Sequence, residues 1–150
     1  MLHWNCRYHQ WGGINVAKAH ILIIEDNVDN LDMVRFLLEQ SEYSVASATD
    51  GRQGLHAAQR ILPDMILLDM SLPEIDGWTV ARMLKADPAT AGILIIALTA
   101  HALPGDRKKA LDAGCDGYIS KPLDVQNFIG VVATYLRKRR SLSQPGSLML

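Results

Sequence analysis

Apolar residues in this chain fall into short, dense runs, separated by longer stretches in which they recur every three or four positions. The dense runs are Ile21-Leu22-Ile23-Ile24, Met65-Ile66-Leu67-Leu68, Ile93-Leu94-Ile95-Ile96-Ala97-Leu98 and Tyr118-Ile119, with a shorter, edge-like run from Tyr43 to Ala48. Runs of this length and composition, bounded by turn formers, predict β-strands. The stretches between them predict helices. Asp29 or Asn30 caps a helix to about Gln40 with Leu31, Val34, Leu37 and Leu38 on its inner face. Asp50-Gly51 opens a helix carrying Leu55, Ala58 and Ile61, stopped by Pro63. Gly77 to Lys85 is a third, broken by Asp87-Pro88; about Pro104 to Ala113 is a fourth, with Gly114 as C-cap; and Asp124 to about Arg139 is a fifth.

Strands joined through helices run parallel, so every strand's carboxyl end lies on the same side. Ligands of such sheets bind at that edge, near the point where strand order reverses. Glu25-Asp26, Asp69, Thr99 and Lys121 each follow or end a run. Three carboxylates, a hydroxyl and an ammonium are therefore expected in one crevice.

The ends of the chain read differently. Residues 1–18 mix Trp4, Trp11 and Gly12-Gly13 without helical or strand periodicity, which predicts an irregular or disordered extension, and residues 139–150, with Pro145-Gly146, predict a flexible tail. The 150 residues suit one domain with one good core. Fifteen basic residues balance 16 acidic ones to a net charge of −1, which points away from nucleic acid and anionic membranes. Cys6 and Cys115 are arranged neither as a metal pair nor as a disulfide framework, as expected of a reducing, cytoplasmic compartment. No run approaches the roughly 20 apolar residues of a membrane span. Arg137-Lys138-Arg139-Arg140 complements a helix dipole rather than marking a DNA site. His101 reads as a solvent-facing loop residue and Cys115 as a small packing residue.

The ordered motifs Ile-Leu-Ile-Ile-Glu-Asp-Asn, Leu-Leu-Asp-Met-Ser-Leu-Pro-Glu-Ile-Asp-Gly, Ala-Leu-Thr-Ala and Gly-Tyr-Ile-Ser-Lys-Pro resemble the receiver domain of two-component response regulators, over about residues 19–138. The likeness is to single-domain, CheY-like regulators and phosphorelay receivers. It implies a doubly wound (βα)5, flavodoxin-like three-layer sandwich with a parallel five-stranded sheet in the order 2-1-3-4-5. It also implies that Asp69 is the phosphoacceptor, that Glu25, Asp26 and Asp69 hold Mg²⁺ (or Mn²⁺) with the backbone carbonyl of Met70, and that Lys121 pairs with the phosphoryl group. Thr99 and Tyr118 are then the switch residues, and a cis peptide is expected before Pro122. The implied donors are a sensor histidine kinase or a His phosphotransfer protein. The implied output is a protein target on the face made by the fourth helix, fifth strand and fifth helix, with no direct DNA contact.

The chemistry supports these residue types on its own terms. Phosphoryl transfer has a loose transition state, so a protein mainly aligns the reactants and neutralises oxygens. An aspartate attacking a phosphoryl anion beside two more carboxylates needs a hard cation, and Mg²⁺ binds through few protein oxygens while bridging to phosphate. Singly, each residue could be a cap or a turn; jointly they specify a site. An aspartate-nucleophile phosphatase of the haloacid-dehalogenase type needs a second Asp two residues on, where this chain has Ser71. An FMN carrier would not place Glu25-Asp26-Asn27 where a phosphate sits. A receiver kept only as an unphosphorylated scaffold would not need the complete acidic set.

Overall fold

The computed structural model of the chain describes residues 8–11, 14–100 and 104–143. In chain order the elements are β1 (Tyr8–Trp11), β2 (Ile14–Ala17), β3 (His20–Ile24), α1 (Val28–Gln40), β4 (Ser44–Ala48), α2 (Gly51–Ile61), β5 (Met65–Asp69), α3 (Gly77–Ala86), β6 (Leu94–Thr99), α4 (Pro104–Asp112), β7 (Gly117–Ser120) and α5 (Val125–Ser143). β3 to β7 form one parallel sheet in the order β4-β3-β5-β6-β7, which is 2-1-3-4-5 counted along these strands.

The apolar runs explain the order. Every residue of β5 and β6 is buried, because helices cover both faces of the middle of the sheet. β4 and β7 carry partly exposed residues and stand at the edges. Side-chain alternation splits the core in two. Leu22, Ile24, Ile66, Leu68, Ile95 and Ala97 pack under α2, α3 and α4, whereas Ile21, Ile23, Met65, Leu67, Ile96 and Leu98 pack under α1 and α5.

Caps place the helices. Asp50 and Asp76 accept the N–H groups of Gln53 and Thr79, each at 2.8 Å. α1 differs from expectation: its cap is Asn27, whose Oδ1 accepts the Asn30 N–H at 3.1 Å, and not Asp29 or Asn30. The backbone is still extended at Asn27, so the helix begins as soon as the chain leaves β3 and its following loop. α2 ends at Leu62 in the left-handed conformation, just before Pro63. Gly114, at φ 97°, turns the chain from α4 towards β7, and a Cβ there would lie 2.7 Å from Lys85 Cγ.

Towards each end, the described residues carry more regular structure than the sequence reading expects, while residues 1–7 and 144–150 lie outside the described residues. Tyr8–Trp11 and Ile14–Ala17 are strands: β1 and β2 pair antiparallel from Tyr8↔Ala17 to Trp11↔Ile14. In sequence, two four-residue runs flank Gly12-Gly13, a hairpin signal that the mixed composition of this segment obscures. Lys18, just ahead of the expected start at residue 19, contacts the main domain: its Nζ donates to Ser41 O at 2.7 Å and stands 5.1 Å from the Tyr43 ring centroid. At the other end α5 runs on to Ser143, so residues 139–143 are helix and not tail. Arg139 Nη1 donates to Asp64 O at 2.6 Å and lies 3.6 Å from Asp64 Oδ1, which ties this last stretch to the amino end of β5.

Candidate functional site

Strand order reverses between β3 and β5, because the chain crosses from β3 out to β4 and returns past β3 to β5. Sheet hydrogen bonds carry the site residues to that point. Glu25 follows β3 and donates its N–H to Ala48 O at 3.0 Å; Asp69 ends β5, and the next N–H, of Met70, reaches Leu98 O at 3.0 Å. Thr99 ends β6, and its carbonyl accepts the Lys121 N–H at 2.7 Å. The expected crevice thus forms where the strands stop.

Within it, Glu25 and Asp69 are buried, at 1% and 3% exposure. Lys121 Nζ donates to Glu25 Oε1 at 2.8 Å and stands 3.5 Å from Asp69 Oδ1. Asp69 Oδ1 also accepts the Ser71 N–H at 3.0 Å. Glu25, Asp26 and Asp69 offer oxygens that all lie within 4.8 Å of one another, with Asp26 on the solvent side. Burial, and then a hydrogen bond shared with Asp69, push the Glu25 carboxyl up to about 7, against the pull of Lys121. Burial also presses on Asp69, but the Glu25 hydrogen bond, the Ser71 N–H and the charge of Lys121 prevail and hold it below its usual range. Lys121 would be lowered by burial; its bond to Glu25 and the charge of Asp69 raise it instead. A proton taken up by the Glu25–Asp69 pair therefore goes to Glu25 rather than to Asp69.

The donor set fits a hard divalent cation. Three carboxylates face one ammonium, which leaves two negative charges when all are ionised, and every side-chain donor is an oxygen. The Met70 carbonyl, expected as a further ligand, already accepts the Gly77 N–H at 3.3 Å. Gly77 is pressed against this loop: a Cβ there would fall 2.5 Å from Asp69 O.

Thr99 is buried, and Tyr118 is half-buried against the core beneath α4. Ala97 pairs with Tyr118, so Thr99, two residues on from Ala97, lies on the same sheet face as the tyrosine. The peptide before Pro122 is cis. A cavity of about 540 Å³ opens beside Glu25 and Lys121, walled by Met33 and Val34 of α1 and by Leu98 and Leu123. Sequence reasoning did not single out Ser71 as the backbone anchor of Asp69 or Asn27 as the cap of α1. The polar residues Asn27, Asp29 and Asn30 carried a signal for the cap only. His101 and Cys6 lie outside the described residues, and Cys115 is a free, buried thiol.

The profile of the response regulator receiver domain family matches residues 21–133. This chain belongs to that family. It is 40% identical over 116 residues to the polar-differentiation response regulator DivK of Brucella anthropi, covering 77% of this chain and 94% of that protein. Among solved structures, the receiver domain of a sensor histidine kinase from Pseudomonas aeruginosa is 34% identical with a TM-score of 0.73, covering 79% of this chain and 98% of that one; magnesium is coordinated in its active-site cleft. A CheY-like receiver from Methanospirillum hungatei gives 25% identity and a TM-score of 0.77, over 83% of this chain and 98% of that one. Receivers are signalling domains that accept phosphoryl groups, bind Mg²⁺ at an acidic pocket and act on downstream partners. Among the described residues no helix is long and apolar enough to cross a membrane.

Proposed function

We propose that this receiver accepts a phosphoryl group on Asp69 from the phosphohistidine of a sensor histidine kinase or a His phosphotransfer protein, and passes the signal to a protein partner. The observation that carries the reading is the buried Asp69 carboxylate with Lys121 Nζ 3.5 Å away and the oxygens of Glu25 and Asp26 beside it. Asp69, held below its usual range, is ionised and able to attack. In the transfer, a P–O bond forms to Asp69 as the P–N bond breaks, and the imidazole nitrogen keeps the electron pair and takes up a proton. Glu25, Asp26 and Asp69 would hold Mg²⁺, which when bound supplies positive charge to the phosphoryl oxygens. Lys121, whose ammonium lies 2.8 Å from Glu25 Oε1 and 3.5 Å from Asp69 Oδ1, would neutralise a further phosphoryl oxygen. Thr99 then donates its hydroxyl to the attached group, and Tyr118 follows into the space behind it, reshaping the face of α4, β7 and α5.

Incubation with a small-molecule phosphodonor tests this reading. A hydroxylamine-labile label that needs Mg²⁺ is the expected result. A label that forms equally well in chelator would reject the site, and no label under either condition would leave the chain a scaffold.

A further inference from the structure

α4 is held to the domain by little apolar surface. Among its described side chains only Ala110 is buried, and Leu111 is 51% exposed. Two of its cations lie over aromatic rings of neighbouring elements instead. The Arg107 guanidinium is 5.9 Å from the Tyr118 ring centroid on β7, and Lys109 Nζ is 5.4 Å from that of Trp78 on α3. Both fall within the roughly 6 Å over which a cation is attracted to a ring face.

We propose that Arg107 is a positioning residue for Tyr118, holding the ring in its resting place and so setting how readily the switch turns. The inference rests on the switch reading given above. Tyr118 and Thr99 share one face of the sheet, with the tyrosine half-buried against the Ala97 and Ala110 side of the core. A ring that moves towards Thr99 leaves the guanidinium, so the contact favours one ring position over the other. A contact favouring one of two states shifts their ratio by its full worth. For an exposed cation and ring, that worth corresponds to about a two- to fivefold change in population. Arg107 is exposed, so its replacement need not disturb the core.

NMR of the full chain with ring-labelled tyrosine tests the proposal, the Tyr118 signal being assigned through Tyr118→Phe. Spectra are taken with and without Mg²⁺ and beryllofluoride, a phosphoryl mimic, for wild type, Arg107→Gln and Arg107→Lys. In Arg107→Gln without the mimic, the Tyr118 signal should move part of the way to its mimic-bound position. Labelling by a small phosphodonor should quicken about two- to fivefold, and the melting temperature should be nearly unchanged. Arg107→Lys, which keeps a cation, should restore most of the wild-type behaviour. A Tyr118 signal that responds to beryllofluoride but not to Arg107→Gln overturns the proposal alone. A wild-type signal that ignores beryllofluoride overturns the switch reading and the proposal with it.

Discussion

Glu25 and Asp69 share a buried site with one ammonium, and the proton between them has a measurable consequence. Glu25 is raised from about 4.5 to about 7, so its contribution to the stability of the metal-free fold is complete below about 4.5 and is lost as pH rises through about 7. Asp69 is lowered and acts oppositely: its contribution is present above its ordinary value and is lost only as pH falls through the lowered one. Between pH 5 and 8 Glu25 is opposed by His20, which burial lowers and which therefore favours the fold as pH rises. The Glu25 part is therefore read as the melting-temperature difference between wild type and Glu25→Gln, which should fall from pH 5 to pH 8 in the metal-free protein. A cation competes with that proton. The apparent Mg²⁺ affinity, measured by calorimetric titration, should therefore rise severalfold from pH 6 to pH 8, and Glu25→Gln should flatten the rise. An affinity independent of pH in the wild type would remove Glu25 from the metal site. These positions were legible in the sequence because each polar residue ends or follows an apolar run. The Ser71 N–H on Asp69 was not, since the direction of a backbone group in a loop leaves no mark in residue type.

At the scale of elements, Lys85 is one of the staples of the edge opposite the site. Lys85, near the end of α3, donates to Ala91 O at 3.1 Å, Ile93 O at 2.9 Å and Asp116 Oδ2 at 3.1 Å, while Asp116 Oδ2 also accepts the Ile95 N–H at 2.8 Å. One side chain thus joins α3, the loop into β6 and the start of β7. Lys85→Met keeps the aliphatic stem over Gly114 but strips donors from partly buried carbonyls, and should cost about 1–3 kcal/mol in denaturant unfolding. A loss within experimental error would show that water replaces the ammonium. The helices themselves followed from apolar periodicity and caps. What escaped was the cap of α1, because Asn27, Asp29 and Asn30 are all competent and only the point where the chain leaves the sheet selects Asn27. The length of α5 escaped for a similar reason: its last turns are joined to Asp64, 75 residues away in sequence.

For the whole molecule, the sheet and its two helical layers account for the fold, and among the described residues the β1–β2 pair forms a separate sheet. We propose that the domain proper begins at Lys18. A chain starting there should melt within a few degrees of the full chain and label to the same extent, whereas a drop of many degrees would make the hairpin part of the fold. Saturating Mg²⁺ should add on the order of 1–3 kcal/mol to either chain by mass action. Strand order and the gathering of Glu25, Asp26, Asp69 and Lys121 were readable from the sequence because four apolar runs with polar ends fit one parallel sheet. The hairpin and the Arg107–Tyr118 contact were not, because neither repeats a period. The most direct measurement of the central claim is to map the phosphoryl group by peptide mass spectrometry after treatment with a phosphodonor and Mg²⁺, in wild type and Asp69→Asn. The account predicts one modified residue, Asp69, and no label in the variant; label persisting at the wild-type level in Asp69→Asn would contradict it.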